Sequence, residues 1–133
     1  MKWFGGVEAG GTKFNCIVAS DPDNILEEAR IRTTTPAETL PQVVDFFEWT
    51  QHKHHLSLDA IGLGFFGPIS LDPAAKDFGY ITSTPKLAWR NTPIVSYFKE
   101  KMDLPVAFDT DVAAAAVGEG LWGAARGCKH FIY

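Results

Sequence analysis

The segment Glu8-Ala9-Gly10-Gly11-Thr12-Lys13 follows directly on a strand-like run, Trp3-Phe4-Gly5-Gly6-Val7, and leads into another. A bend between strands is thus built from a carboxylate, paired glycines, a hydroxyl and a lysine. Glycines remove the side chains that keep a backbone away from a ligand, and they make φ > 0 accessible. Successive N–H groups can then point into one concavity that attracts anions. Thr12 adds a hydroxyl donor and Lys13 a positive charge. Glu8 offers the oxygen chemistry that Mg²⁺ prefers, directly or through water. In this reading Glu8, Gly10, Gly11, Thr12 and Lys13 form a phosphate cradle. A Gly-Gly hairpin turn with solvated charges fits the same residues, and the motif alone does not choose between them.

Residues 2–8, 13–19 and 26–33 read as the strands of an antiparallel meander. The run Lys13-Phe14-Asn15-Cys16-Ile17-Val18-Ala19 begins with alternation and ends apolar, and Ser20-Asp21-Pro22-Asp23-Asn24 is a turn cluster. A helix is expected at about 39–53, with Leu40, Val43, Val44, Phe46 and Phe47 as its apolar face. Both Thr35-Pro36-Ala37-Glu38 and Thr39-Leu40-Pro41-Gln42 fit a capping box. A helix running through from Thr35 would put Pro41 in its interior, its ring against the carbonyl of Ala37. The expectation is therefore a turn at 35–38 and the main helix from Thr39.

Ala60-Ile61-Gly62-Leu63-Gly64-Phe65-Phe66 reads as a buried strand. The stretch 67–92 is irregular and long enough to suggest function, with a small hairpin around Ile69-Ser70-Leu71 and Tyr80-Ile81-Thr82. A helix at 93–102, a strand at 105–109 and a helix from Asp111 complete an α/β pattern with a mixed sheet flanked by helices.

A chain of 133 residues has room for one domain with its own core. The net charge of −4 gives no electrostatic footprint for nucleic acid. The apolar runs are too short to span a bilayer, and the N-terminus lacks a signal-peptide pattern, so cytoplasm is the expected address and no membrane partner is expected. Cys16 and Cys128 read as free intracellular thiols, with a bridge left open.

Near-miss motifs can be set aside. Gly62-Leu63-Gly64-Phe65-Phe66-Gly67 matches G-x-G-x-x-G, but Pro68 and a loop follow where a dinucleotide fingerprint needs a helix. The 6–13 segment resembles a P-loop but reverses its Lys-Ser/Thr order and enters a strand. His52, Lys53, His54 and His55 suit a helix C-terminus better than a metal site.

The other chemically informative segment is Phe108-Asp109-Thr110-Asp111-Val112. A strand delivers carboxylates to its C-terminal end, where open α/β sheets bind ligands. Asp111, in the first turn of a helix or capping it, can serve as a general base toward a substrate hydroxyl. Capping alone is the competing reading. A phosphate cradle, a base and a polar loop between them are the parts that phosphoryl transfer requires.

These segments resemble the N-terminal half of a ROK-family sugar kinase, most closely its fructokinase branch, over the whole chain. The 8–14 segment is similar to the family's first phosphate motif, with Glu8 in the form typical of that branch. Gly64-Phe65-Phe66-Gly67-Pro68-Ile69 resembles the Gly-x-Pro-Gly-Pro segment beside the sugar, with Phe66 in place of its proline. Ile81-Thr82-Ser83-Thr84-Pro85-Lys86-Leu87-Ala88-Trp89 resembles the substrate-proximal loop. The 110–119 segment is similar to Asn-Asp-x-Asn-Ala-Ala-x-x-Gly-Glu, with Thr110 and Ala113 in place of its asparagines. The second replacement removes a side chain that usually helps to bind sugar.

The resemblance implies an actin-like ATPase (ribonuclease H-like) fold and ATP-dependent phosphorylation of a small sugar, fructose preferred. It implies Asp111 as catalytic base, ATP and Mg²⁺ as cofactors, and Gly67, Thr84, Pro85, Trp89 and Thr110 beside the sugar. It also implies a first domain at 1–126, with 127–133 as the first strand of a second. The remaining nucleotide-binding segments and the family's zinc motif would lie beyond the chain, leaving it inactive alone, and the full-length form would be a homodimer. A non-catalytic sugar-binding paralogue is one alternative. The other is a sugar-responsive regulator, disfavoured because a strand follows Met1 at once, with no room for a DNA-binding helix-turn-helix, and because the charge is acidic.

Overall fold

A computed structural model of the chain describes residues 2–21 and 23–110. The helix expected from Asp111, Cys128 and the strand expected at 127–133 lie outside the described residues. Strands β1 (Phe4–Ala9), β2 (Lys13–Asp21) and β3 (Asn24–Arg32) form the expected antiparallel meander. Next come helix α1 (Pro36–His54), β4 (Ala60–Phe65), the short strands β5 (Tyr80–Ile81) and β6 (Thr92–Pro93), helix α2 (Ile94–Met102) and β7 (Val106–Thr110). β4 joins β1 in parallel and β7 joins β4 in parallel, which gives a mixed sheet ordered β3-β2-β1-β4-β7.

Strand alternation decides which face holds the core. Val7 and Ala9 of β1 face the same way as Phe14, Cys16 and Val18 of β2 and Leu63 and Phe65 of β4, and all are buried. Leu40, Val43 and Phe47 of α1, with Ile94 and Phe98 of α2, close over them. Each such side chain contributes about 1.5–3 kcal/mol on burial. Gly5 allows α1 to approach the sheet, since a Cβ there would stand 2.8 Å from the Phe47 ring.

α1 begins at Pro36 and runs through Pro41, contrary to the expected start at Thr39. Thr35 is the N-cap: its hydroxyl accepts from the Glu38 amide at 3.3 Å and meets the Glu38 carboxylate at 3.2 Å. Thr39 is occupied otherwise, as its hydroxyl accepts from the Thr34 amide at 2.9 Å and donates to the Arg32 carbonyl at 3.2 Å. An interior proline costs on the order of 3 kcal/mol. The Thr35 cap and the buried stripe from Leu40 to Phe47 offset it, so tertiary packing overrides local propensity.

The hairpin expected in 67–92 is present: Ile69 bridges Ile81, the Ser70 amide donates to the Tyr80 carbonyl at 2.9 Å and the Thr82 amide to the Pro68 carbonyl at 2.8 Å. β5 also pairs with β6, with Tyr80 opposite Pro93 and Ile81 opposite Thr92. At Gly79 the backbone takes φ +84°, which glycine alone adopts easily. Among the described residues no helix is long and apolar enough to cross a membrane.

Candidate active site

The parallel strands bring the two chemical segments to one edge. In register, Glu8 lies beside Gly64 and Gly64 beside Asp109. One residue further on, Ala9, Phe65 and Thr110 form the next row, and the Phe66 amide donates to the Ala9 carbonyl at 3.1 Å. The glycine loop, the Phe66-Gly67 turn and the Asp109-Thr110 end of β7 therefore lie at the C-terminal ends of adjacent strands, the usual ligand edge of an open α/β sheet. Val7 and Ala9 face the core, so Glu8 projects from the opposite face, where it is exposed and has Asn15 of β2 opposite. Glu8 and Asp109 are two strand spacings apart, about 10 Å.

The glycine loop closes the β1–β2 hairpin, so the turn reading and the cradle reading describe the same backbone. Its glycines do not use the left-handed region: among the described glycines only Gly79 has positive φ. What they supply is bare α-carbons. A Cβ on Gly10 would stand 3.2 Å from the Lys13 carbonyl oxygen, and one on Gly11 would stand 3.1 Å from Cε of Lys86. The Gly10 amide is also committed, donating to the Lys13 carbonyl at 2.9 Å. That leaves Gly11 and Thr12 at the tip, where their amides have no hydrogen-bond partner among the described residues. Thr12 and Lys13 are exposed.

Thr33 and Thr34, leaving β3, tie this loop to the substrate-proximal loop. Thr33 donates its hydroxyl to the Gly10 carbonyl and its amide to the Thr12 carbonyl, both at 2.9 Å. The Thr34 carbonyl accepts the indole N–H of Trp89 at 2.9 Å. Trp89 is 1 % exposed and packs on Phe14 and Phe66, with ring centroids 5.6 Å apart in both pairs. It therefore holds the loop in place and has no open face for a sugar. Thr84 is also buried, its hydroxyl accepting from the Lys86 amide at 3.3 Å and its carbonyl accepting from Arg90 Nε at 2.7 Å. Pro85 is exposed beside it. Gly67 precedes a cis bond to Pro68, and a Cβ on it would stand 3.1 Å from the Ile69 amide nitrogen.

Of the expected site residues, Glu8, Gly10, Gly11, Thr12, Lys13, Gly67, Thr84, Pro85, Trp89 and the backbone of Thr110 belong to this edge and the loops tied to it. Asp111 lies outside the described residues. Thr33, Thr34 and Lys86 were missed as parts of the site. Their roles come from contacts between segments distant in sequence, and no local signal marks them.

Glu8 fits a cation that keeps most of its waters. Among the described residues no group of three or more His, Cys, Asp or Glu could form an all-protein cage. A single exposed carboxylate beside a glycine loop has donor chemistry compatible with Mg²⁺, which takes one or two carboxylates, water and phosphate oxygens. The histidines end α1 as expected. His54 Nε2 lies 3.2 Å and Lys53 Nζ 3.1 Å from Glu27, and these hydrogen bonds, Lys53 first, hold the Glu27 carboxyl below its usual range.

Comparisons with known proteins agree with this fold. The ROK family model matches residues 4–133. A fructokinase from Lactococcus lactis subsp. cremoris is 44% identical over 117 residues, which cover 88% of this chain and 38% of that protein. The crystal structure of a ROK hexokinase from Thermus thermophilus superposes with a TM-score of 0.71 at 26% identity, covering 94% of this chain and 40% of that one. A ROK family glucokinase from Streptomyces griseus, in complex with glucose and AMPPNP, gives a TM-score of 0.64 at 26% identity and covers 94% and 38% of the two chains. The chain spans about two fifths of the length of the curated relatives it matches. Its fold is that of these kinases, the actin-like ATPase fold.

Proposed function

Because the chain belongs to the ROK family, we propose that it is the N-terminal portion of an ATP-dependent sugar kinase whose preferred substrate is fructose. The observation that carries this reading is the shared register of β1, β4 and β7, with Glu8, Gly64 and Asp109 in one row. The likeness to a fructokinase supports fructose as the sugar. The glucose and AMPPNP bound by a relative support a sugar and a nucleotide as partners.

In this reading Gly10, Gly11, Thr12 and Lys13 meet the distal phosphates, while Glu8 would hold Mg²⁺, through water. Gly67, Thr84, Pro85 and Thr110 border the sugar, and Trp89 fixes the loop that carries two of them. ATP would supply the phosphoryl group, and Mg²⁺ held at Glu8 would supply charge neutralisation there. Asp111 accepts the proton of the sugar hydroxyl whose oxygen forms the new bond to phosphorus. The bond from phosphorus to the ADP oxygen breaks, and Lys13 with the Gly11 and Thr12 amides stabilises the charge that develops there.

Residues 1–126 form the first domain, and 127–133 open a second that completes the nucleotide site and carries the zinc motif. A cytoplasmic homodimer completes the proposal. Its test is a coupled assay of ATP-dependent fructose phosphorylation. The full-length protein is expected to be active and the 133-residue chain alone to stay at background. Turnover by the isolated chain contradicts the division of the site between two domains.

One residue favours a second reading. Ala113 stands where the resemblance places a sugar-binding asparagine. A non-catalytic paralogue would bind fructose, seen by calorimetry, and transfer no phosphate.

A further inference from the structure

Lys86 belongs to the loop that borders the sugar, yet its side chain lies over the glycine loop. A Cβ on Gly11 would stand 3.1 Å from Lys86 Cε and 3.9 Å from Nζ, so the lysine stem occupies the bare side of that glycine. Its backbone is fixed. The Lys86 amide donates to the Thr84 hydroxyl at 3.3 Å, and its carbonyl accepts from the Trp89 amide at 2.9 Å. Trp89 is anchored to Thr34, next to the Thr33 that binds Gly10 and Thr12. The same clasp therefore positions the lysine and the loop beneath it.

Lys86 makes no ion pair among the described residues, where the ion pairs join Glu27 to Lys53 and His54. The loop tip also presents the Gly11 and Thr12 amides without partners among the described residues, and Thr12 and Lys13 are exposed. An exposed lysine alone is unremarkable. A lysine laid across a glycine loop that presents unpaired amide donors makes an anion site.

We propose that Lys86 is a phosphate-binding residue, its ammonium donating hydrogen bonds to the terminal phosphate of a nucleoside triphosphate from the sugar side of the loop. This rests on the kinase reading and adds to it a cation carried by the sugar-bordering segment. Lysine serves such a role as a mobile point charge.

The test pairs Lys86→Ala with Lys86→Arg in the full-length kinase and in the 133-residue chain. In the kinase, Lys86→Ala should lower kcat/KM for ATP on the order of 10- to 100-fold, as expected for losing a charged hydrogen bond. Lys86→Arg should recover most of the loss, and the melting temperature should stay near the parent value because the side chain is exposed. In the chain, inorganic tripolyphosphate should shift the Gly11 and Thr12 amide resonances, with affinity weakened by Lys86→Ala. Parent-like kcat/KM in an active Lys86→Ala kinase overturns the assignment. Should the parent kinase phosphorylate no sugar, the kinase reading fails, and the titration decides Lys86 by itself. There, equal binding to parent and Lys86→Ala, or none to the parent at millimolar concentration, overturns it.

Discussion

Glu8 and Asp109 are registered against the same residue, Gly64, one from each side. A glycine between them puts no side chain into the row, and the pair marks the edge to which Asp111 is joined through Thr110. If Glu8 holds Mg²⁺ through water, Glu8→Gln should raise the Mg²⁺ concentration for half-maximal kinase activity by about 10-fold, the scale seen when a group supporting a metal's ligands is lost. A magnesium titration at saturating fructose reads this. An unchanged midpoint removes Glu8 from the metal site.

Trp89 joins the two loops through one hydrogen bond and its ring. Trp89→Phe keeps an aromatic between Phe14 and Phe66 but deletes the donor to Thr34. It should cost about 1–3 kcal/mol in urea unfolding. Because the loop carrying Thr84 and Pro85 loses its anchor, the KM for sugar should rise as well. A fall in stability with kinetics unchanged would restrict Trp89 to the core.

The path of α1 through Pro41 gives a sharp test of the helix start. Were Thr39 the cap, Pro41 would sit in the first turn, where proline is tolerated, and its replacement would be nearly neutral. With Thr35 as the cap, Pro41 removes an interior hydrogen bond, and Pro41→Ala should stabilise the chain by about 1–3 kcal/mol. Thr35→Ala should destabilise it by about 1 kcal/mol.

These residues also show what a sequence reveals. The meander, β4, α2 and β7 are legible because alternation and apolar runs report a strand's or helix's own burial. The bend at Gly10-Gly11 between β1 and β2 is legible because paired glycines between two strand-like runs mark a turn locally. The start of α1 is misread because Pro41's local cost is outweighed by packing of Leu40, Val43 and Phe47 against the distant strands β1 and β2. The β5–β6 pair and the reach of Lys86 over Gly11 depend on how loop 67–92 folds back, which no periodicity encodes. The expectation puts Trp89 beside the sugar, whereas the structure packs its ring between Phe14 and Phe66 and ties its indole to Thr34, contacts that the sequence does not signal.

Cys16 gives a pH dependence. Burial inside the sheet pushes its thiol from 9.0 up to about 12. Since folding raises the pKa, the stabilising contribution is complete below pH 9 and is lost as the pH rises toward 12. Cys16→Ala should therefore flatten the alkaline fall in stability over that interval. In the native protein at pH 8.5, iodoacetamide should label the Cys16 peptide far more slowly than in urea, as followed by mass spectrometry. Equal rates would contradict the burial.

The most direct measurement is the turnover of an Asp111→Ala variant of the full-length kinase, with fructose and ATP saturating. Loss of a general base should lower kcat by about 10²- to 10⁴-fold while fructose binding, measured by calorimetry, persists. Near-normal turnover would contradict the assignment of Asp111 as the base, and with it the chemical meaning of the edge shared by β1, β4 and β7.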